Sequence, residues 1–127
     1  MTLTMKELVA DARTRVAAIS PRGAEEAARR CDLIPDVREP AELEADGWSA
    51  GAVHIPRDIL ETRADATADS AEKRLTELQG SGRVHVLCAA GGRSPLAADK
   101  LRRFGYDADV IEGGLGGWKA AGLPVED

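Results

Sequence analysis

Val84-His85-Val86-Leu87-Cys88-Ala89-Ala90-Gly91-Gly92-Arg93-Ser94-Pro95 is the stretch from which the fold can be read. Val84, Val86 and Leu87 make a short apolar run of the kind a buried strand presents. Pro95 points to the first position of a following helix, where its fixed φ is suitable and its missing N–H costs nothing. Between them lies a loop of small residues that opens with a cysteine. This order places Cys88 at the carboxyl end of a strand, the edge of an open parallel sheet where ligands bind. Gly91 and Gly92 can take positive φ, so the backbone there can curl tightly and turn several N–H groups towards one centre. The following helix adds the positive end of its dipole. An anion is favoured at that centre, and the sulfur of Cys88 is the nearest candidate.

Outward from this stretch the same alternation repeats. On the amino-terminal side, 16–19 reads as an edge strand, and Ser20-Pro21 caps and opens a helix that runs to about Arg30. Residues 33–37 form a second strand interrupted by Pro35, which removes a ladder donor. Glu39-Pro40 opens a helix through Asp46 that Gly47 ends, and 52–55 is a strand closed by Pro56. Residues 57–80 suggest one or two helices with Leu75 and Leu78 facing inward. On the carboxyl side, a helix from Pro95 to Phe104 carries Leu96, Ala97, Leu101 and Phe104 as its apolar stripe. A strand at 108–111 and a short helix around Trp118 complete the pattern. The expected fold is α/β, with a mainly parallel central sheet of about five strands and helices on both faces. One domain over 15–127 is expected, preceded by a short amphipathic helix within 1–14 that turns Met5, Leu8, Val9 and Ala12 to one face.

Bulk properties narrow the function. The 127 residues carry a net charge of −5, which argues against a nucleic-acid partner, for which a basic face is expected. The charged amino terminus (Lys6, Glu7, Asp11, Arg13) shows no signal-peptide apolar region, so none is expected there, and no apolar run is long enough to span a bilayer. Cys31 and Cys88 show no CxxC spacing, and His54 and His85 no pairing at metal spacing, so neither metal nor cofactor is expected. Reduced thiols in a cytoplasmic setting follow.

Four segments carry a resemblance. They are Asp36-Val37-Arg38-Glu39-Pro40, Gly51-Ala52-Val53-His54-Ile55-Pro56, the loop Cys88 to Ser94, and Gly113-Gly114-Leu115-Gly116-Gly117-Trp118 with Gly122-Leu123-Pro124-Val125. In this order they resemble the rhodanese family of single-domain sulfurtransferases. Two positions depart from its pattern. Trp48-Ser49-Ala50 follows Gly47 where the family usually has His-Ile-Pro, and Pro35 stands where an apolar strand residue is usual.

The resemblance implies a thiosulfate sulfurtransferase in which Cys88 takes sulfur from a donor such as thiosulfate, holds it as a persulfide, and passes it to a thiol or cyanide. Ala89, Ala90, Gly91, Gly92, Arg93 and Ser94 would cradle the anionic sulfur through their amides. Arg93 either guides an anionic donor or braces the loop, and Asp36 with Arg38 tethers the loops around the pocket. Partners are then a small sulfur donor and a thiol, cyanide or protein acceptor; a homodimer stays open. Two other functions fit the same residues less well. Cysteine-dependent phosphatases have a similar loop but place arginine one residue later; here Ser94 occupies that position and cannot clamp phosphate as a guanidinium would. A non-catalytic binding or redox module, or a persulfide carrier serving one protein, would carry the same motifs.

Overall fold

The computed structural model describes residues 2–89 and 92–126. The elements, in chain order, are α1 (Met5–Arg13), β1 (Ala18–Ile19), α2 (Pro21–Arg29), β2 (Pro35–Asp36), α3 (Pro40–Asp46), β3 (Trp48–Ser49) and β4 (Val53–His54). A 3₁₀ turn at Arg57–Ile59 then leads into α4 (Leu60–Ala64), α5 (Lys73–Thr76), β5 (Arg83–Val86), α6 (Arg93–Arg103), β6 (Asp107–Ile111), α7 (Gly114–Ala120) and β7 (Val125–Glu126). Helix starts follow local chemistry. The Ser20 hydroxyl accepts from the Gly23 amide with Pro21 at the first helical position, and Glu39-Pro40 opens α3, which ends at Gly47 with φ 76°.

β1 pairs with β6, β6 with β5, and β2 with β4, all parallel. Parallel bridges Leu33–Val84 and Asp36–Leu87 join β2 to β5, giving the order β1-β6-β5-β2-β4. Pro35 explains why that central seam is broken. Its carbonyl accepts from the Leu87 amide at 2.9 Å, and Leu33 and Val37 donate to β5 on either side of it, but the proline has no N–H to give. One rung is lost and the strands stay in register.

The two faces of the sheet carry separate clusters. Val37, Val53, Ile55, Leu60, Leu75, Val84, Val86, Cys88 and Leu101 pack on the face covered by α4, α5 and α6. Ala24, Ile34, Leu87, Ile111 and Trp118 pack on the face of α2 and α7. Side-chain alternation along β5 therefore sends Leu87 and Cys88 to opposite layers.

Three local expectations are corrected. α6 begins at Arg93, so Pro95 is its third residue, still within the turn whose amides lack intrahelical partners. Its buried stripe is Ala97, Ala98 and Leu101 rather than one including Leu96. In α1, Ala12 alone is buried, while Met5 and Leu8 are exposed; the Arg15 guanidinium, just beyond the helix, pins this segment to Asp99 of α6 with two bonds of 2.8 Å. A further pairing, β3 antiparallel to β7, was not anticipated; it ties Trp48 to Glu126, whose carboxylate accepts from the indole N–H at 3.0 Å.

His85 is wholly buried, with Nδ1 2.6 Å from an Asp109 oxygen and Nε2 2.8 Å from an Asp32 oxygen. Two acceptors facing two ring nitrogens require both nitrogens to donate. Burial pulls the imidazole pKa down, but the hydrogen bonds and charges of Asp109 and Asp32 outweigh it, and the pKa stands above 6.5. The charged ring ties β6 and the residue ahead of Leu33 to the centre of the sheet. Because the folded pKa is raised, this contribution to stability is complete below the unfolded value of about 6.5 and is lost as pH rises through the folded value. Unfolding free energy measured by urea at a series of pH values should decline on the alkaline side in the native protein and not in His85→Gln; a parallel pair of curves would contradict the assignment.

Candidate active site

Cys88 stands one residue past the Asp36–Leu87 bridge, where β5 leaves the sheet. Its backbone is held by the start of α7. The Leu115 amide donates to the Cys88 carbonyl at 2.8 Å, and the Gly116 amide lies 3.5 Å from the Ala89 carbonyl. This approach requires Gly114. Its φ is +58°, and a Cβ there would overlap the Cys88 carbonyl oxygen and stand 2.7 Å from that of Ala89.

The Cys88 side chain is buried, and its Sγ lies 3.3 Å from the Ser94 hydroxyl in the first turn of α6. The thiol donates to that oxygen; to a thiolate the hydroxyl can donate in return. Ser94 is buried as well, so this contact is shielded from water. Of the remaining loop residues, Ala90 and Gly91 lie outside the described residues. Gly92 caps α6 at φ −76°, an ordinary right-handed conformation, so the positive φ expected there is not adopted.

Arg93 braces. Its Nη1 and Nη2 donate to the two carboxylate oxygens of Glu42 on α3 at 2.5 and 2.7 Å. These bonds hold the Glu42 carboxyl down at about 2, against the upward push of partial burial, and Glu42 raises the Arg93 pKa in return. Glu42 is aimed independently of Arg93, because its Oε1 also accepts from the Glu39 amide at 2.9 Å in the first turn of α3.

Asp36 and Arg38 form the second charged pair, and both are fully buried. Arg38 Nε and Nη2 donate to Asp36 at 3.0 and 2.7 Å, and Nη2 also donates to the Gly47 carbonyl at 2.9 Å. The Arg38 carbonyl accepts from His54 Nε2 at 2.7 Å. The pair thus ties the carboxyl end of β2 to the end of α3, and the Arg38 carbonyl ties it to β4. A cavity of about 200 Å³ lined by Asp36, Leu43, Trp48, Ala52 and His54 sits beside this tether and does not include Cys88. Arg57 is engaged by Glu61 at 2.8 Å.

The structure therefore brings Ser94 to the Cys88 sulfur and joins Arg93 to α3 through Glu42, while Asp36 and Arg38 pair with each other and hold the far end of α3. Sequence reasoning missed Glu42 and the contact role of Gly114. Glu42 had a faint signal, a carboxylate three residues after Glu39 in a capping pattern.

A sequence model of the rhodanese-like domain matches residues 20–121. Among solved structures, a protein of unknown function from Rhodopseudomonas palustris, described as a possible tyrosine phosphatase, superposes with a TM-score of 0.89 at 29% identity, covering 99% of this chain and 96% of that one. The polysulfide-sulfur transferase homodimer of Wolinella succinogenes gives 0.71 at 28% identity, with 96% and 86% covered. A rhodanese-related protein from Thermoplasma volcanium gives 0.65 at 29% identity, with 85% and 95% covered.

Gly114→Ala tests the backbone contact. It should cost on the order of 2–3 kcal/mol of stability, from strain at positive φ and overlap with the Cys88 carbonyl. Gly116→Ala, where an added Cβ meets nothing within 4 Å, should cost far less in the same thermal unfolding assay.

Proposed function

Because the chain belongs to the rhodanese-like domain family, we propose that it is a sulfurtransferase that carries sulfur as a persulfide on Cys88. Family membership and the likeness to a polysulfide-sulfur transferase support sulfur transfer as the kind of reaction. The observation that carries the assignment to this residue is the buried Cys88 sulfur at the strand end, with the Ser94 hydroxyl 3.3 Å away at the start of α6.

The reaction is two displacements at sulfur. The Cys88 thiolate attacks the outer sulfur of thiosulfate, the S–S bond of the donor breaks, and sulfite leaves with the bonding pair. The persulfide anion then meets an acceptor; cyanide attacks its terminal sulfur, thiocyanate departs, and the thiolate is regenerated. No proton moves in either step, so no general base is required. The Ser94 hydroxyl and the loop amides serve as donors to the anionic sulfur, worth most in a site closed to water. A thiol or a protein persulfide acceptor would replace cyanide in the cell. The proposed setting is the cytoplasm, with reduced thiols; no helix among the described residues is long and apolar enough to cross a membrane.

Phosphate-ester hydrolysis is the second reading, favoured by the description of the Rhodopseudomonas protein. Against it stand the four-residue spacing from Cys88 to Arg93 and the commitment of that arginine to Glu42. The experiment is thiocyanate formation from thiosulfate and cyanide, alongside hydrolysis of p-nitrophenyl phosphate. Turnover of the first kind, reduced on the order of a thousandfold in Cys88→Ser, is expected. Phosphatase turnover alone would overturn the proposal, and no turnover of either kind would favour a non-catalytic module.

A further inference from the structure

We infer that Glu42 sets the charge that the Cys88 site presents to an incoming sulfur donor, by occupying Arg93 and so withholding it from anions. This rests on the reading of Cys88 as the sulfur carrier. Arg93 is placed to matter to the sulfur. It stands in the first turn of α6, next in the chain to Ser94, whose hydroxyl lies 3.3 Å from the Cys88 sulfur. A guanidinium there would draw a dianion such as thiosulfate and stabilise a persulfide.

The pair with Glu42 cancels most of that attraction. Both oxygens of Glu42 are used, and the carboxylate is pre-aimed by the Glu39 amide, so it competes with any donor at no cost in its own ordering. The side chains of Arg93 and Glu42 keep 34% and 28% of their surface exposed, so the pair is reachable from solvent. The other guanidinium whose charge acts on Glu42, Arg38, is locked on Asp36 and inaccessible. Glu42 is therefore a specificity-determining residue that tilts the site towards donors of low charge.

Bracing alone would give a different result from charge control, and Glu42→Gln separates the two. Glutamine keeps an oxygen for the Glu39 amide and for one Arg93 bond, but removes the negative charge. The readout is the rate of Cys88 modification by iodoacetate relative to iodoacetamide, reagents of similar size and different charge, resolved by peptide mass. Exposed Cys31 in the same molecule is the internal reference. Glu42→Gln should raise the iodoacetate-to-iodoacetamide ratio at Cys88 by about three- to tenfold and leave that at Cys31 unchanged. KM for thiosulfate should fall by a similar factor, with kcat within about twofold. Arg93→Gln should move the ratio the opposite way, and decides the matter if Glu42→Gln fails to fold. A ratio at Cys88 equal to that of the native protein overturns the inference. Cys88 that alkylates but never loads sulfur refutes the carrier reading while the ratio still decides for Glu42; Cys88 modified by neither reagent overturns both.

Discussion

The close approach of two backbones, at Cys88 and at Gly114, is the constraint on which the rest of the site depends. A strand end is normally free to wander once its ladder stops. Here the ladder reaches Leu87, and the next carbonyl is taken by the Leu115 amide of α7. That bond forms because residue 114 has no side chain and accepts a left-handed conformation. The backbone of Cys88 is thereby fixed between a sheet and a helix. From that fixed point, α6 can bring Ser94 to the sulfur.

Charge then organises what packing has positioned. Arg38 holds the far end of α3 through the Gly47 carbonyl, and Arg93 holds its first turn through Glu42. Buried ion pairs seldom add much net stability, because desolvation offsets the attraction, yet breaking one leaves a stranded charge. Their value here lies in fixing one placement for α3 against the loop. The pair at Asp36 does so from complete burial, and the pair at Arg93 does so in partial contact with water. Only the second of these two pairs is reachable from solvent.

The sequence reported its architecture well wherever a local rule applied. Ser20-Pro21, Glu39-Pro40 and Gly47 set helix ends through capping and φ preference, and the structure has them at those residues. Pro35 declared a missing rung, and there is one. Failures came where distant segments decide. Nothing local to Trp48-Ser49 or Val125-Glu126 has strand period; they pair because the fold delivers them to each other. Met5 and Leu8 formed part of an apolar face by spacing, but the contact of α1 is made by Ala12 and by Arg15 on Asp99. At the candidate site, the cysteine and its loop were legible as a strand-to-helix junction. The partner of Arg93 was not, since Glu42 lies in a different element and only tertiary closure brings them together.

The most direct test of the central claim is intact mass after exposure to thiosulfate, with no acceptor present. The account predicts that the protein gains one sulfur atom on Cys88, removable by cyanide, and that Cys88→Ser gains none. A native protein that remains at its original mass, or one that carries the added sulfur on Cys31, would contradict it.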